Sequence, residues 1–150
     1  MLPDIFQLIK KLDSLDYVVE EELATILLLM LKLKKPLLLE GPPGVGKTEA
    51  SQIIASYLNT NLIRLQCYEG LDVNSAIYEW NYSRQILQIR MMEAEGKMNK
   101  NDISKEIFGP EFLIKRPLYQ AIDYSGDNPP VLLIDELDRA DEEFLSLIHI

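Results

Sequence analysis

Two periodicities alternate along this chain. Pro3–Leu15 places Ile5, Phe6, Leu8, Ile9 and Leu12 on one side at helical spacing, which predicts a short amphipathic helix. Val18–Lys32 predicts a second helix. Its first turn carries Glu20, Glu21 and Glu22 and its end Lys32, Lys34 and Lys35, the order that a helix dipole favours, and Pro36 stops it. Leu37-Leu38-Leu39 is a continuous apolar run between Pro36 and a glycine-rich segment, and such a run suits a strand buried on both faces. Beyond that segment Ala50, Ile53, Ile54, Tyr57 and Leu58 keep the helical period until Asn59-Thr60-Asn61 breaks it. Leu62–Tyr68 alternates instead, with Leu62, Arg64, Gln66 and Tyr68 on one face and Ile63, Leu65 and Cys67 on the other. Strand, helix, strand predicts a βαβ unit, hence an α/β fold with a parallel sheet.

The middle of the chain is less regular. Tyr82–Glu95 and Glu111–Tyr124 predict helices, polar residues 96–105 a loop, and Ser125–Pro130 a turn. Tyr78, Trp80 and Tyr82 form either a binding stripe or a buried anchor for this region. Val131–Ile134 predicts a third buried strand, and Asp141–Glu143 the acidic start of another helix. There is no internal repeat and no low-complexity segment.

Composition narrows the function classes. The 150 residues suit one domain with a single sizeable core. A net charge of −9 argues against broad, non-specific nucleic-acid binding, which needs a basic surface. Cys67 is the one cysteine, so no intrachain disulfide can form and a reducing compartment is expected. The longest greasy stretch, Leu23–Leu31, is far short of the roughly 20 residues of a membrane span. No membrane insertion and a cytoplasmic location are therefore expected.

Residues 41–48, GPPGVGKT, match the phosphate-binding pattern G-x-x-x-x-G-K-[ST]. Glycines let such a backbone turn tightly and approach a ligand, so that its N–H groups converge on phosphate oxygens at a helix N-terminus. Lys47 would neutralise the β- and γ-phosphates, and the Thr48 hydroxyl is a hard oxygen suited to Mg2+. The candidate nucleotide-binding residues are Gly41, Pro42, Pro43, Gly44, Val45, Gly46, Lys47, Thr48 and Glu49. With glycine at about 7% of residues, a chance match in a chain this long is on the order of one in two hundred.

The apolar run Val131–Ile134 ends in Asp135-Glu136. Alone, this pair is equally well a strand end entering solvent. Paired carboxylates would also suit a glycosidase or a two-metal nuclease, but neither explains Lys47 and its loop. Beside a phosphate loop, Asp135 is the candidate metal ligand and Glu136 the candidate general base for water.

The two motifs, GPPGVGKT and VLLIDELDRAD, together resemble the AAA+ ATPases, and the Asp-Glu-x-x-Arg-Ala spacing resembles the MoxR-type group. RLQCYEGLD at 64–72 and YEWNY at 78–82 are similar to the CoxD-like branch, and the resemblance runs from Tyr17 to Phe144. It implies a three-layer α/β/α P-loop NTPase domain that binds ATP with Mg2+ and assembles into a ring, commonly a hexamer. It further implies a chaperone acting on a metalloenzyme client, often with a von Willebrand A domain partner. The branch is linked to maturation of the molybdenum–copper centre of carbon monoxide dehydrogenase and related hydroxylases. Tyr17 and Val18 lie where the family often contacts adenine, and Arg139 where it has an arginine. Tyr17 and Val18 equally suit core residues at a helix start, and Arg139 suits either a surface ion pair with the nearby acids or a role in the subunit interface.

The resemblance divides the chain into N-terminal helices (1–35), a βαβ unit with the phosphate loop (36–68), a helical insertion (70–130), and the acidic strand with its turn (131–144). Lys47 and Asp135 are 88 positions apart, and Arg84–Arg116 carries seven basic residues against five acidic ones, which suits a surface facing a pore or a client. A solvated helical hairpin would look the same. In the family a further strand, an arginine finger and a small helical domain follow the acidic strand, whereas fourteen residues follow Glu136 here. An N-terminal fragment, inactive alone, with a gap in its sheet is therefore expected. LSLIHI, 145–150, resembles a translated sequencing-adaptor tail. Two functions remain open: an ATPase, or a nucleotide-gated adaptor with negligible hydrolysis. A DNA-directed role is disfavoured by the acidity.

Overall fold

A computed structural model of the chain describes residues 4–96 and 106–147. Most of the predicted polar loop, and the last three residues of the LSLIHI segment, lie outside them. Helix α1, Ile5–Asp13, starts with a capping box. Asp4 Oδ1 accepts the Gln7 N–H at 2.9 Å, and Gln7 Oε1 accepts the Asp4 N–H at 3.2 Å. Helix α2, Glu21–Leu33, follows, and Lys34 closes it in a left-handed conformation. Helix α3, Lys47–Leu58, ends at Asn59, also left-handed, whose N–H donates to the Ala55 and Ser56 carbonyls. Asparagine tolerates that backbone better than most residues, which is why Asn59-Thr60-Asn61 breaks the helical period. Leu8, Leu12, Leu27, Leu28, Ile53 and Ile54 bind these three helices into one core cluster.

Strands β1, Leu62–Gln66, and β4, Val131–Asp135, pair in parallel, with Leu62 opposite Val131 and Gln66 opposite Asp135. Alternate residues of the ladder face different cores. Val131 packs with the α1–α3 cluster. Leu65, Leu132 and Ile134 pack with a second cluster that includes Cys67, Leu71, Ala76, Leu118 and Phe144. The two faces read from Leu62–Tyr68 are those observed: Leu65 and Cys67 are buried, while Arg64, Gln66 and Tyr68 are exposed.

The first correction concerns Leu37–Leu39, predicted as a buried strand. It pairs with no strand among the described residues, and Leu38 is 66% exposed, although Leu37 packs against the first core. A short apolar run becomes a strand only when a neighbour accepts and donates its backbone hydrogen bonds. β4 is likewise paired on one edge only, and its five residues are half-buried rather than buried. Among the described residues no five-stranded sheet forms, and β1 and β4 pair only with each other.

The second correction lies in the middle segment, which is not purely helical. Helix α4, Val73–Ile77, leads into β2, Tyr78–Trp80, and then α5, Tyr82–Ala94. Where one helix was predicted over Glu111–Tyr124 there is a single 3-10 turn, a strand and a shorter helix. These are Pro110–Phe112, β3 at Leu113–Lys115, and α6 at Pro117–Ile122. β3 pairs antiparallel with β2, with Tyr78 opposite Lys115. Pro117 explains the break: it biases Arg116 toward extended backbone and itself fits the first turn of α6. Of the aromatic trio only Trp80 is half-buried, edge-on to Tyr78 and Phe108 at 6.2 and 5.4 Å. Tyr78 and Tyr82 are exposed, so Trp80 alone is an anchor. Helix α7, Glu142–Leu147, brings the fully buried Phe144 into the second core.

Candidate functional site

The phosphate-loop segment has the backbone its glycines suggested. Gly44 and Gly46 both sit at φ 86°, where a side chain would be strained, and nothing lies within 4 Å of a Cβ built on Gly44. The loop therefore presents open backbone. Gly46 hands the chain to α3, whose first N–H groups have no partners inside the helix. Lys47 folds back over the loop, its Nζ donating to the Gly41 and Pro42 carbonyls at 2.8 Å each. That holds a cation above the loop and leaves a third ammonium hydrogen free.

Chain direction decides what this loop meets. α3 turns back into β1 through Asn59–Asn61. That turn is tied to the start of β4, because the Thr60 hydroxyl lies 3.1 and 3.0 Å from the Asn128 and Pro129 carbonyls and the Val131 N–H donates to the Asn61 carbonyl at 2.9 Å. α3 packs against both strands. Its C-terminus is thus at the beginning of the strands and its N-terminus at their ends, which is where β4 delivers Asp135 and Glu136. Running against the strands, α3 directs Lys47 and Thr48, 88 and 87 positions from Asp135 in the chain, toward the end of the sheet where β4 finishes.

The acidic pair is held by cations. Asp135 Oδ2 accepts from Arg64 Nη2 at 2.7 Å, and Oδ1 accepts the Glu136 N–H at 3.0 Å. Glu136 adopts φ 53°, a left-handed backbone that is rare for such a residue and turns the chain sharply at the strand end. Its Oε2 pairs with Arg139 Nε at 3.0 Å. Arg139 is thus in a surface ion pair, one of the two places open to it from the sequence. The same negative charges reach Cys67. Burial first, then Asp135, Asp138 and Glu136, push its thiol up, so it remains a neutral core residue.

Tyr17 and Val18 both line an open concavity of about 300 Å³, with Phe6, Ile9 and Val19. Tyr17 is half-buried, and burial followed by the charge of Glu49 pushes its phenol up, whereas Val18 is 89% exposed. The Glu49 carboxylate therefore lies within electrostatic reach of Tyr17. Arg64 was missed as a site residue. An arginine on the exposed face of β1 was the available signal, but its partner lies on another strand.

Among the described residues no group of three or more His, Cys, Asp or Glu side chains could cage a metal ion. The oxygen donors that the sequence proposed for a metal, Asp135 and Thr48, would be one carboxylate and one hydroxyl. This sparse oxygen set fits Mg2+, which keeps several waters and shares its coordination with phosphate rather than filling a protein cage. No described helix is long and apolar enough to cross a membrane. Comparisons with curated proteins and with solved structures give no match. Residues 36–149, which contain the loop, α3, the β1–β4 pair and both carboxylates, match the AAA domain, dynein-related subfamily, and the chain belongs to that family.

Proposed function

We propose that the chain is the nucleotide-binding part of a MoxR-type AAA+ ATPase of the CoxD-like branch. The observation that supports this most is the shared end of the sheet, where α3 starts and β4 finishes. Lys47 and the loop N–H groups of Gly41 and Gly44 to Thr48 bind the phosphates, with Pro42 and Pro43 shaping the loop and Glu49 flanking it. Thr48 and Asp135 would hold Mg2+, which would supply neutralisation of the phosphate charge. Glu136 takes the proton from the attacking water once its carboxylate leaves Arg139. In this state Glu136 Oε2 is occupied by Arg139 Nε at 3.0 Å, so the carboxylate must move off that partner to reach a water. The three-layer α/β/α reading is supported by the alternation along β4, which sends Val131 to one core and Leu132 and Ile134 to the other.

Activity is assigned to the ring-forming assembly, with a von Willebrand A domain protein as its partner. One observation favours the adaptor alternative: both acidic residues are occupied by arginines in this state. Phosphate release and size-exclusion chromatography separate the two. Chelating Mg2+ with EDTA is expected to stop steady-state phosphate release by the complete gene product. Release that is absent throughout, while ATP still changes assembly, would establish the adaptor. The client proposal, maturation of a molybdenum hydroxylase, rests on RLQCYEGLD and YEWNY. Deleting the gene is expected to leave such hydroxylases short of their metal centre. Unchanged metal content in the purified enzymes would reject it.

A further inference from the structure

Arg64 lies on β1, beside the strand that carries the acidic pair. Its Nη2 donates to Asp135 Oδ2 at 2.7 Å and to Gln66 Oε1 at 2.6 Å. The register explains the reach. Gln66 is the cross-strand neighbour of Asp135, and Arg64 sits two residues earlier on the same face, opposite Leu133. No acid faces Arg64 directly, so its guanidinium extends diagonally to the carboxylate at the strand end. Because the Glu136 N–H occupies Oδ1, both oxygens of Asp135 have donors.

The two partners differ in exposure: the Asp135 side chain is 24% exposed and that of Arg64 54%. A carboxylate so covered is costly without a counter-charge, and Arg64 supplies one. A guanidinium does not lose its proton near neutral pH. Oδ2 is therefore freed by a competing cation or by movement of Arg64.

We propose that Arg64 is a stand-in cation at Asp135, holding the carboxylate in the metal-free protein and yielding it to a divalent cation. This rests on the nucleotide and magnesium reading of the site. Arg64 raises the threshold for metal at Asp135. It thereby ties metal binding to phosphate, which brings the further oxygens that outweigh the ion pair. Displaced, the guanidinium keeps its hydrogen bond to Gln66 on its own strand. Arg64 is a positioning residue in this scheme, acting only through Asp135.

The test titrates Mn2+ into the 150-residue chain at saturating ADP, with free Mn2+ followed by electron paramagnetic resonance. Arg64→Gln is expected to tighten Mn2+ by up to about fivefold, the range an exposed ion pair sets. Arg64→Lys, which keeps the charge, is expected to return the affinity toward that of the native chain. In an Asp135→Asn background the Arg64→Gln change is expected to do nothing, because the partner is gone. Equal or weaker Mn2+ binding by Arg64→Gln overturns the proposal, as does the same gain in the Asp135→Asn background. A labelled ADP measured in parallel separates the two levels. If the native chain does not bind it, the nucleotide reading falls and takes this proposal with it. If it binds and Arg64 has no effect, only the proposal falls.

Discussion

Lys47→Ala is expected to remove nucleotide binding. The Lys47 ammonium is held above the loop by the Gly41 and Pro42 carbonyls at 2.8 Å, with one hydrogen uncommitted. A charge-assisted hydrogen bond of this kind contributes about 1.5–3 kcal/mol, which is roughly a tenfold to hundredfold change in affinity. The substitution also deletes the brace between the start of α3 and the start of the loop, so the backbone donors lose their fixed aim. Both effects act in the same direction. Titration calorimetry with ADP measures the outcome. Affinity within a factor of two of the native protein would remove Lys47 from the site.

Glu136→Gln is expected to leave nucleotide binding intact and to lower steady-state phosphate release by about 10²–10⁴-fold, the usual contribution of a positioned general base. The amide keeps the shape of the side chain but cannot take a proton. It also loses the ion pair with Arg139, but that pair is well exposed, with side chains 59% and 42% accessible. Such pairs contribute at most about 1 kcal/mol, so the fold is not at risk. The two substitutions are therefore distinguishable: Lys47→Ala fails at binding, Glu136→Gln at turnover. Unchanged phosphate release by the complete gene product carrying Glu136→Gln would assign the base to another residue.

The parts of the site carried by continuous stretches of chain were legible in the sequence. The glycine pattern at 41–48 predicted a turning loop, and Gly44 and Gly46 indeed take positive φ. The helical period after it predicted α3, whose end at Leu58 and Asn59 lies where the asparagines fall. The alternation in Leu62–Tyr68 predicted which side chains would be covered. Each of these properties depends on neighbours within a few residues, so the local pattern contains it. Leu37–Leu39 and Glu111–Tyr124 failed for the opposite reason. An apolar tripeptide has no backbone partners of its own, and the apolar positions of Phe112, Leu113 and Ile114 fit a helix face as readily as a turn and a strand. β2 decided the second case from more than thirty residues away.

Taken alone, then, the sequence determined the phosphate loop, the helix behind it, the two strands that pair, and the acidic pair ending the second. Its net charge of −9 also argued against broad, non-specific nucleic-acid binding. Only the tertiary structure decided that Leu37–Leu39 pairs with no strand among the described residues and that a hairpin interrupts the middle segment. It alone set Arg64 on Asp135, a contact between residues 71 positions apart. Periodicity and turn chemistry act over a few residues and are written in the local pattern. Pairing depends on which distant backbone or charge the folded chain brings within about 3 Å, the distance at which a hydrogen bond forms.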